Sequence, residues 1–280
     1  MLNFEDKIIP LDSWISAFID WLVEGYRWFF QMLKWPVELT LTGIEHGLTA
    51  LPPLLVIIVL GVIAWRVSGV KLGIFTVATM IFIGLLGLWQ DTMVTLAMVL
   101  CSVVFCTIVG IPLGIGAGRS DRFETALRPL LDAMQTTPAF VYLVPIVMLF
   151  SIGNVAGVLA TIVFALPPII RLTSLGIRQV HPELVEAALA FGATNWQVLV
   201  KVQIPLALPT IMAGLNQTIM MALSMVVIAA LIGAGGLGAP VVLGLNTLDI
   251  GLATIGGLAI VLIAIVLDRI TQSMGTTKQN

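Results

Sequence analysis

The chain has 280 residues, of which 59% are hydrophobic and 10% charged, and its formal net charge is -2. A soluble domain carries roughly 25% charged residues and could not hide so much apolar surface, so lipid is the solvent. Nucleic acid is excluded as a partner, because no basic stripe is present for a phosphate backbone to bind.

Residues 1–12 are acidic and mixed rather than basic and then apolar, so no secretory signal is read there and the first spanning helix is expected to direct insertion. Residues 11–34 interleave Trp14, Ile15, Phe18, Trp21, Leu22, Phe29 and Phe30 with Asp12, Asp20, Glu24 and Arg27. That pattern predicts an amphipathic helix lying on the membrane surface. A spanning segment there would place Asp20 and Glu24 in hydrocarbon, at a cost.

Hydropathy then predicts seven spans, at 51–67, 71–89, 93–117, 131–151, 155–172, 206–232 and 251–268. The organisation that follows is an interfacial, extracytoplasmic segment over 1–50, two accessory helices over 51–90, and a five-helix core over 91–272 that contains the loop 173–205. Residues 273–280 form a tail. Cys101 and Cys106 lie five apart on different faces of one apolar segment and read as buried free thiols, neither a disulfide nor a metal pair.

Lys and Arg collect in cytoplasmic loops, which orients the chain. With the loop at 173–205 inside, the inner segments hold Arg66, Lys71, Arg119, Arg122, Arg128, Arg171, Arg178, Lys201, Arg269 and Lys278, and the outer ones hold Lys7, Arg27 and Lys34. The bias of ten against three predicts an N-terminus outside and a cytoplasmic C-terminus. The spans carry almost no ionisable side chains away from their ends, so a proton relay or voltage sensor has no material to work with. The sequence also lacks G-x-x-x-x-G-K-[ST], so this chain does not cradle a nucleotide itself.

The loop 173–205 contains HPELVEAALAFGATNWQVLVKVQIPLALP and reads as two short helices. Pro182 suits a first helical position, Glu183 and Glu186 favour the positive N-terminal end, and Gly192 can take the left-handed conformation that stops a helix. Thr194 or Asn195 can cap the second helix, and Pro205 and Pro209 mark re-entry into the membrane. Helices this short are marginal alone, so a docked partner is expected to hold them. Leu184, Leu189, Phe191, Trp196 and Val198 offer it apolar contacts, Ala187, Ala188 and Ala190 allow close approach, and His181 reads as a solvated loop residue.

Glu186, Ala187 and Ala188, with Gly192 six residues after the glutamate and then Ile204 and Pro205, resemble the EAA loop of ABC importer permeases. The resemblance implies that this loop docks into a groove of a separate ATPase subunit, which holds ATP and magnesium, and that Glu186 and Gly192 help transmit nucleotide-driven closure. A bulky residue in place of Gly192 is then expected to uncouple hydrolysis from uptake. The stretches RPLLDAMQTTPAFVYLVPIVMLF (128–150), FALPPIIRLT (164–173) and MAGLNQTIMMALSMVVIA (212–229) are similar to the ProW-type permeases of glycine betaine/proline betaine importers, and the likeness extends over most of 50–272. It implies an all-α polytopic fold with about seven transmembrane helices around a type I, MetI-like importer core, in the bacterial inner membrane. It also implies a homodimer and a separate periplasmic or extracellular substrate-binding protein.

Pro138 and Pro145 are expected to break the fourth span, and Pro167 and Pro168 the fifth; broken membrane helices survive where protein or a water-filled cavity rescues the freed backbone groups. These spans are the candidates for lining a path, with Gln135, Thr136, Thr137, Asn216, Gln217 and Thr218 as uncharged polar groups. The same six residues are equally suited to hydrogen-bonding helix to helix. Met134, Met148, Met220, Met221 and Met225 read as packing rather than as a cradle for methylated ammonium. GAGGLG at 233–238 matches a dinucleotide fingerprint in letters only, since no strand precedes it; Gly233, Gly235, Gly236 and Gly238 read as a flexible or re-entrant turn near an outer gate.

No nucleophile–base pair and no metal constellation can be assembled in the spans, so no catalytic residue and no bound cofactor or metal is expected. Choline or carnitine is the alternative cargo. An ion-coupled carrier or channel is the alternative mechanism, and it would require ionisable groups at membrane depth.

Overall fold

The computed structural model describes residues 11–275, with side chains placed from residue 13 to residue 274. The described residues form helices joined by short turns, with no strand among them. In chain order they are α1 (Leu11–Ala50), α2 (Pro53–Ser68), α3 (Val70–Leu85), α4 (Trp89–Arg119), α5 (Asp121–Thr136), α6 (Ala139–Phe150), α7 (Asn154–Arg178), α8 (Pro182–Ala190) and α9 (Asn195–Val198). A π-helical turn, Leu199–Gln203, leads into α10 (Ile204–Ala230), followed by α11 (Gly238–Thr247) and α12 (Ile250–Gly275).

Four helices are long and apolar enough to cross a membrane unaided: α4, α7, α12, and the 36-residue run Asn195–Ala230 that joins α9 to α10. Two bent pairs, α1 with α2 (108°) and α5 with α6 (99°), bring the number to six if each pair is one span. Each of the seven expected apolar segments contains a helix, but α2 and α3 have 16 residues each and α6 has 12. Those lengths fall short of the roughly 20 residues that a straight span needs.

The single span expected at 131–151 is a break instead. Thr137 adopts an extended conformation (φ -70°, ψ 126°), because the ring of Pro138 disfavours helix at the residue before it. The polar helix α5 starts well before that span, capped by Ser120, whose side chain accepts a hydrogen bond from Phe123 N. Pro145, Pro167 and Pro168, expected to break their spans as well, lie inside continuous helices.

The amphipathic stretch at 11–34 is helical but runs on to Ala50, with non-helical dihedrals at Tyr26 (φ -122°, ψ 20°). Trp14, Phe18 and Trp21 are exposed, whereas Val37 and Leu41 are each 2% exposed and pack in one cluster with Met98 and Cys101 of α4. The ring of Phe30 stands edge-on to Phe150 of α6 at 5.7 Å. Cys101 and Cys106 are buried free thiols.

Lipid supplies no hydrophobic drive for helices to associate, so packing depends on small residues that allow close approach. Gly110, Gly114 and Gly118 form such a seam on α4 against Ile169, Thr173 and Ile177 of α7. On the other side of α7, Gly176 meets Ala207 and Thr210, and Gly214 of α10 meets Ile169 and Leu172. The result is a tight three-helix centre in which Val158, Ile169, Ala222 and Met225 are fully buried.

Contacts also gather one set of helix ends on a common face. Ala64 of α2 clusters with Ile270 of α12, Asp268 of α12 bonds Asn216 of α10, Thr210 of α10 touches Gly176 of α7, and Arg178 of α7 pairs with Asp121 of α5. This face carries α8.

Candidate coupling site

After three linking residues, α8 begins with Pro182 in its first turn and His181 at its N-cap. It stops in two tight bonds, Gly192 N to Leu189 O (2.9 Å) and Ala193 N to Ala188 O (3.0 Å). Such a stop needs a residue in the left-handed region, and Gly192 supplies it at φ +80°. Thr194 then builds a reciprocal capping box: its Oγ1 accepts from Gln197 N (3.3 Å), and its own N–H donates to Gln197 Oε1 (2.8 Å).

The expected second short helix is not separate. α9 passes through the π turn into α10, with Ile204 N donating to Leu199 O. Pro205 has no N–H to offer the carbonyl of Lys201 one turn back, and the wider turn absorbs the defect. The hairpin is therefore the rigid head of a long helix.

Its outer surface carries large bare apolar side chains among polar ones. Phe191 is 94% exposed and Trp196 69%, with Leu184 and Leu189 also exposed. Glu186 and Ala187 are exposed beside them, Ala188 is half-buried, and Ile204 and Pro205 lie where the head joins the shaft. Val198, expected on the docking surface, is instead buried with Leu199 and roots the hairpin.

Behind the hairpin, α5 is tied to α7 by ion pairs that hydropathy alone does not reveal. Arg171 pairs with Asp132 (2.5 Å), and Arg178 pairs with Asp121 (2.6 Å) and Glu124 (2.9 Å) while donating to Ala117 O (2.7 Å). They border a cavity of about 330 Å³ between α5 and α7. The signal in the sequence was Asp121, Glu124, Arg128 and Asp132 at helical spacing facing Arg171 and Arg178, seven apart. Exposed pairs like these contribute about 1 kcal/mol or less each, so they orient α5 more than they stabilise it.

The eight path candidates do not converge on one site. Thr218 is fully buried and donates to Ala165 O of α7 (3.0 Å). Asn216 donates to Asp268 Oδ1 of α12 (3.0 Å) and accepts from Thr271. Thr136 and Thr137 bond back to Asp132 O and Ala133 O at the end of α5, next to half-buried Gln135. Pro138 makes the bend and Pro145 sits within α6. Gln217 remains outward, on an α10 stripe with Ala213, Met220 and Ser224.

Thr218→Val is thus expected to lower stability by about 0.6 to 2 kcal/mol, the range for membrane interhelical hydrogen bonds, while leaving the substrate KM unchanged. Thermal unfolding together with an uptake titration checks it.

The glycine turn is pinned rather than flexible. Gly235 N donates to Asn154 Oδ1 (2.7 Å) and Leu237 N to Thr95 Oγ1 (2.8 Å), while Gly233 and Gly236 take positive φ values of +74° and +84°. Gly238 opens α11, pressed against the carbonyl of Val226. Both anchors, Asn154 and Thr95, lie near helix starts and were not singled out from the sequence.

Residues 110–275 match the model of the family described as binding-protein-dependent transport system inner membrane component. The chain belongs to this family. Among members of known role, it is 57% identical over 272 residues to the glycine betaine/proline betaine transport system permease protein ProW of Escherichia coli (strain K12), covering 97% of this chain and 77% of that one. The glycine betaine transport system permease protein OpuAB of Bacillus subtilis (strain 168) is 45% identical, with coverage of 97% and 96%. In fold, this permease is similar to a chain of the MetNI methionine ABC transporter in an inward-facing conformation, at a TM-score of 0.54 and 27% identity over 65% of this chain and 89% of that one. The family match spans the seam glycines of α4, the ion-paired α5 and α7, the hairpin, the glycine turn and α12.

Proposed function

We propose that this permease carries glycine betaine, proline betaine and related quaternary amines across the bacterial inner membrane, driven by ATP hydrolysis in a partner ATPase. The observation that carries the ATP-driven reading is the bare hairpin: Phe191 and Trp196 present large apolar surface at the tip of a locally rigid turn, which fits a docking groove on another protein. The cargo follows the relatives that match along nearly the whole chain.

Closure of two ATPases would push on α8, with Glu186 and Gly192 at the contact. Because the head continues unbroken into α10, and α8 hangs from α7 by three residues, the push reaches the two helices that pack together at the centre. Residues 91–272 serve as the core, and the α10 stripe with Gln217 faces a second copy across the path. The cationic face is cytoplasmic and the short apolar helix α3 completes a seventh crossing, so the N-terminus is outside and the C-terminus inside. A substrate-binding protein delivers cargo to the outer side, where the pinned turn at 233–238 acts as a gate support. ATP and magnesium sit on the ATPase.

Proteoliposomes containing the permease, its ATPase and its binding protein should take up labelled glycine betaine only when ATP is present, with excess proline betaine competing. Uptake driven by an ion gradient without ATP overturns the mechanism. Preference for choline or carnitine overturns the cargo alone.

A further inference from the structure

We propose that the crevice between α3 and α12, on the face that carries α8, holds the headgroup of one anionic phospholipid, with an acyl chain lying along its apolar wall. The crevice has a volume of about 330 Å³ and is lined by Ser68, Lys71, Leu72, Phe75, Ile265 and Arg269. One end is cationic and the other apolar, as an amphiphile requires.

The cations are unspent. Lys71 and Arg269, like Arg66 just before Ser68 and like Arg119, Arg122 and Lys201 elsewhere on the face, make no ion pair among the described residues, whereas Arg128, Arg171 and Arg178 are paired. What sets Lys71 and Arg269 apart is that they share one crevice. The carboxylate adjoining Arg269 in sequence, Asp268, is engaged elsewhere: it accepts from Asn216 (3.0 Å) and from Gln272 at 2.7 and 2.8 Å. An anion from outside the chain is what this end lacks.

The apolar end argues for a lipid rather than a free phosphate. Phe75 and Ile265 are 37% and 40% exposed, and Leu72 packs behind them onto Ala64, Val266 and Ile270, so three helices build a firm wall. A small soluble anion would leave that wall bare, whereas an acyl chain covers it. Long cationic side chains reach the headgroup level while their stems rest on apolar surface, and basic pockets between spanning helices are suited to phosphate headgroups.

Native mass spectrometry of the full-length chain should show retained dioleoylphosphatidylglycerol and much weaker retention of dioleoylphosphatidylcholine. Each cation is expected to contribute about fivefold in affinity, so the K71Q/R269Q variant should lose about twenty-five-fold. The K71R/R269K variant should retain the lipid, and so should R119Q/R122Q, which removes the same charge elsewhere on the face. Equal loss in R119Q/R122Q overturns the proposal in favour of diffuse surface attraction. Equal retention of phosphatidylcholine, or displacement of phosphatidylglycerol by millimolar inorganic phosphate, overturns it as well.

Discussion

Gly192→Val should reduce ATP-driven betaine uptake by about tenfold or more while the ATPase rate and membrane insertion persist. The obstacle is not bulk: a Cβ built on Gly192 meets nothing within 4 Å. It is the backbone, held at φ +80° by the bonds that end α8. A residue with a Cβ costs roughly 1 to 2 kcal/mol in the left-handed region, and β-branched side chains are the least tolerant. The strain is relieved by letting α8 swing out of line with α9, which disconnects the docking surface from α10. Gly192→Asn is the decisive companion, because Asn visits this region readily. It should keep most of the uptake. If Val and Asn behave alike in paired uptake and ATPase assays, the left-handed turn is not what transmits the stroke.

Gly114→Val should cost the fold itself. A Cβ at Gly114 would stand 2.5 Å from Thr173 Cβ and 2.8 Å from the carbonyl oxygen of Ile170, so backbone blocks the way and α4 and α7 must part. Overpacking of this kind costs about 3 kcal/mol, and more when backbone has to move. For a chain of this size that corresponds to a fall in Tm of roughly 6 to 12 °C. Gly257→Ala is the contrast: its Cβ meets nothing within 4 Å and lies inside α12, so the gain in helix propensity should leave Tm unchanged or slightly raised. A matching loss in both variants, measured by thermal unfolding in one detergent, would falsify the seam as the source of the effect.

Several features could be read directly from the chain. The hairpin within 173–205 was legible down to its stop at Gly192 and to a cap at Thr194 or Asn195, because turn chemistry depends on residues only a few positions apart. In the structure the cap is Thr194. Pro138 carried the information for the bend, but a hydropathy window averages across it and joins α5's end to α6. The ten-residue helix α11 was hidden for a related reason: it follows directly on the glycine-rich turn and is too short to register as a span.

The polar residues were a harder case. Asn216, Gln217 and Thr218 are consecutive, yet one bonds α12, one faces outward and one bonds α7. Successive helical residues are about 100° apart, so their fates depend on how α10 is rotated against its neighbours. The ion pairs of Arg171 and Arg178 had the same dependence on placement.

By itself, the sequence determined the solvent, the helical class, the absence of a nucleotide loop and the local form of the hairpin after α7, because hydropathy and turn chemistry are local properties that accumulate along the chain. Only the tertiary structure decided which polar side chains join helices, which proline bends its span, and that the turn at 233–238 is clamped. Those outcomes rest on helix rotation and depth, and these are set by how closely glycine seams let distant helices approach.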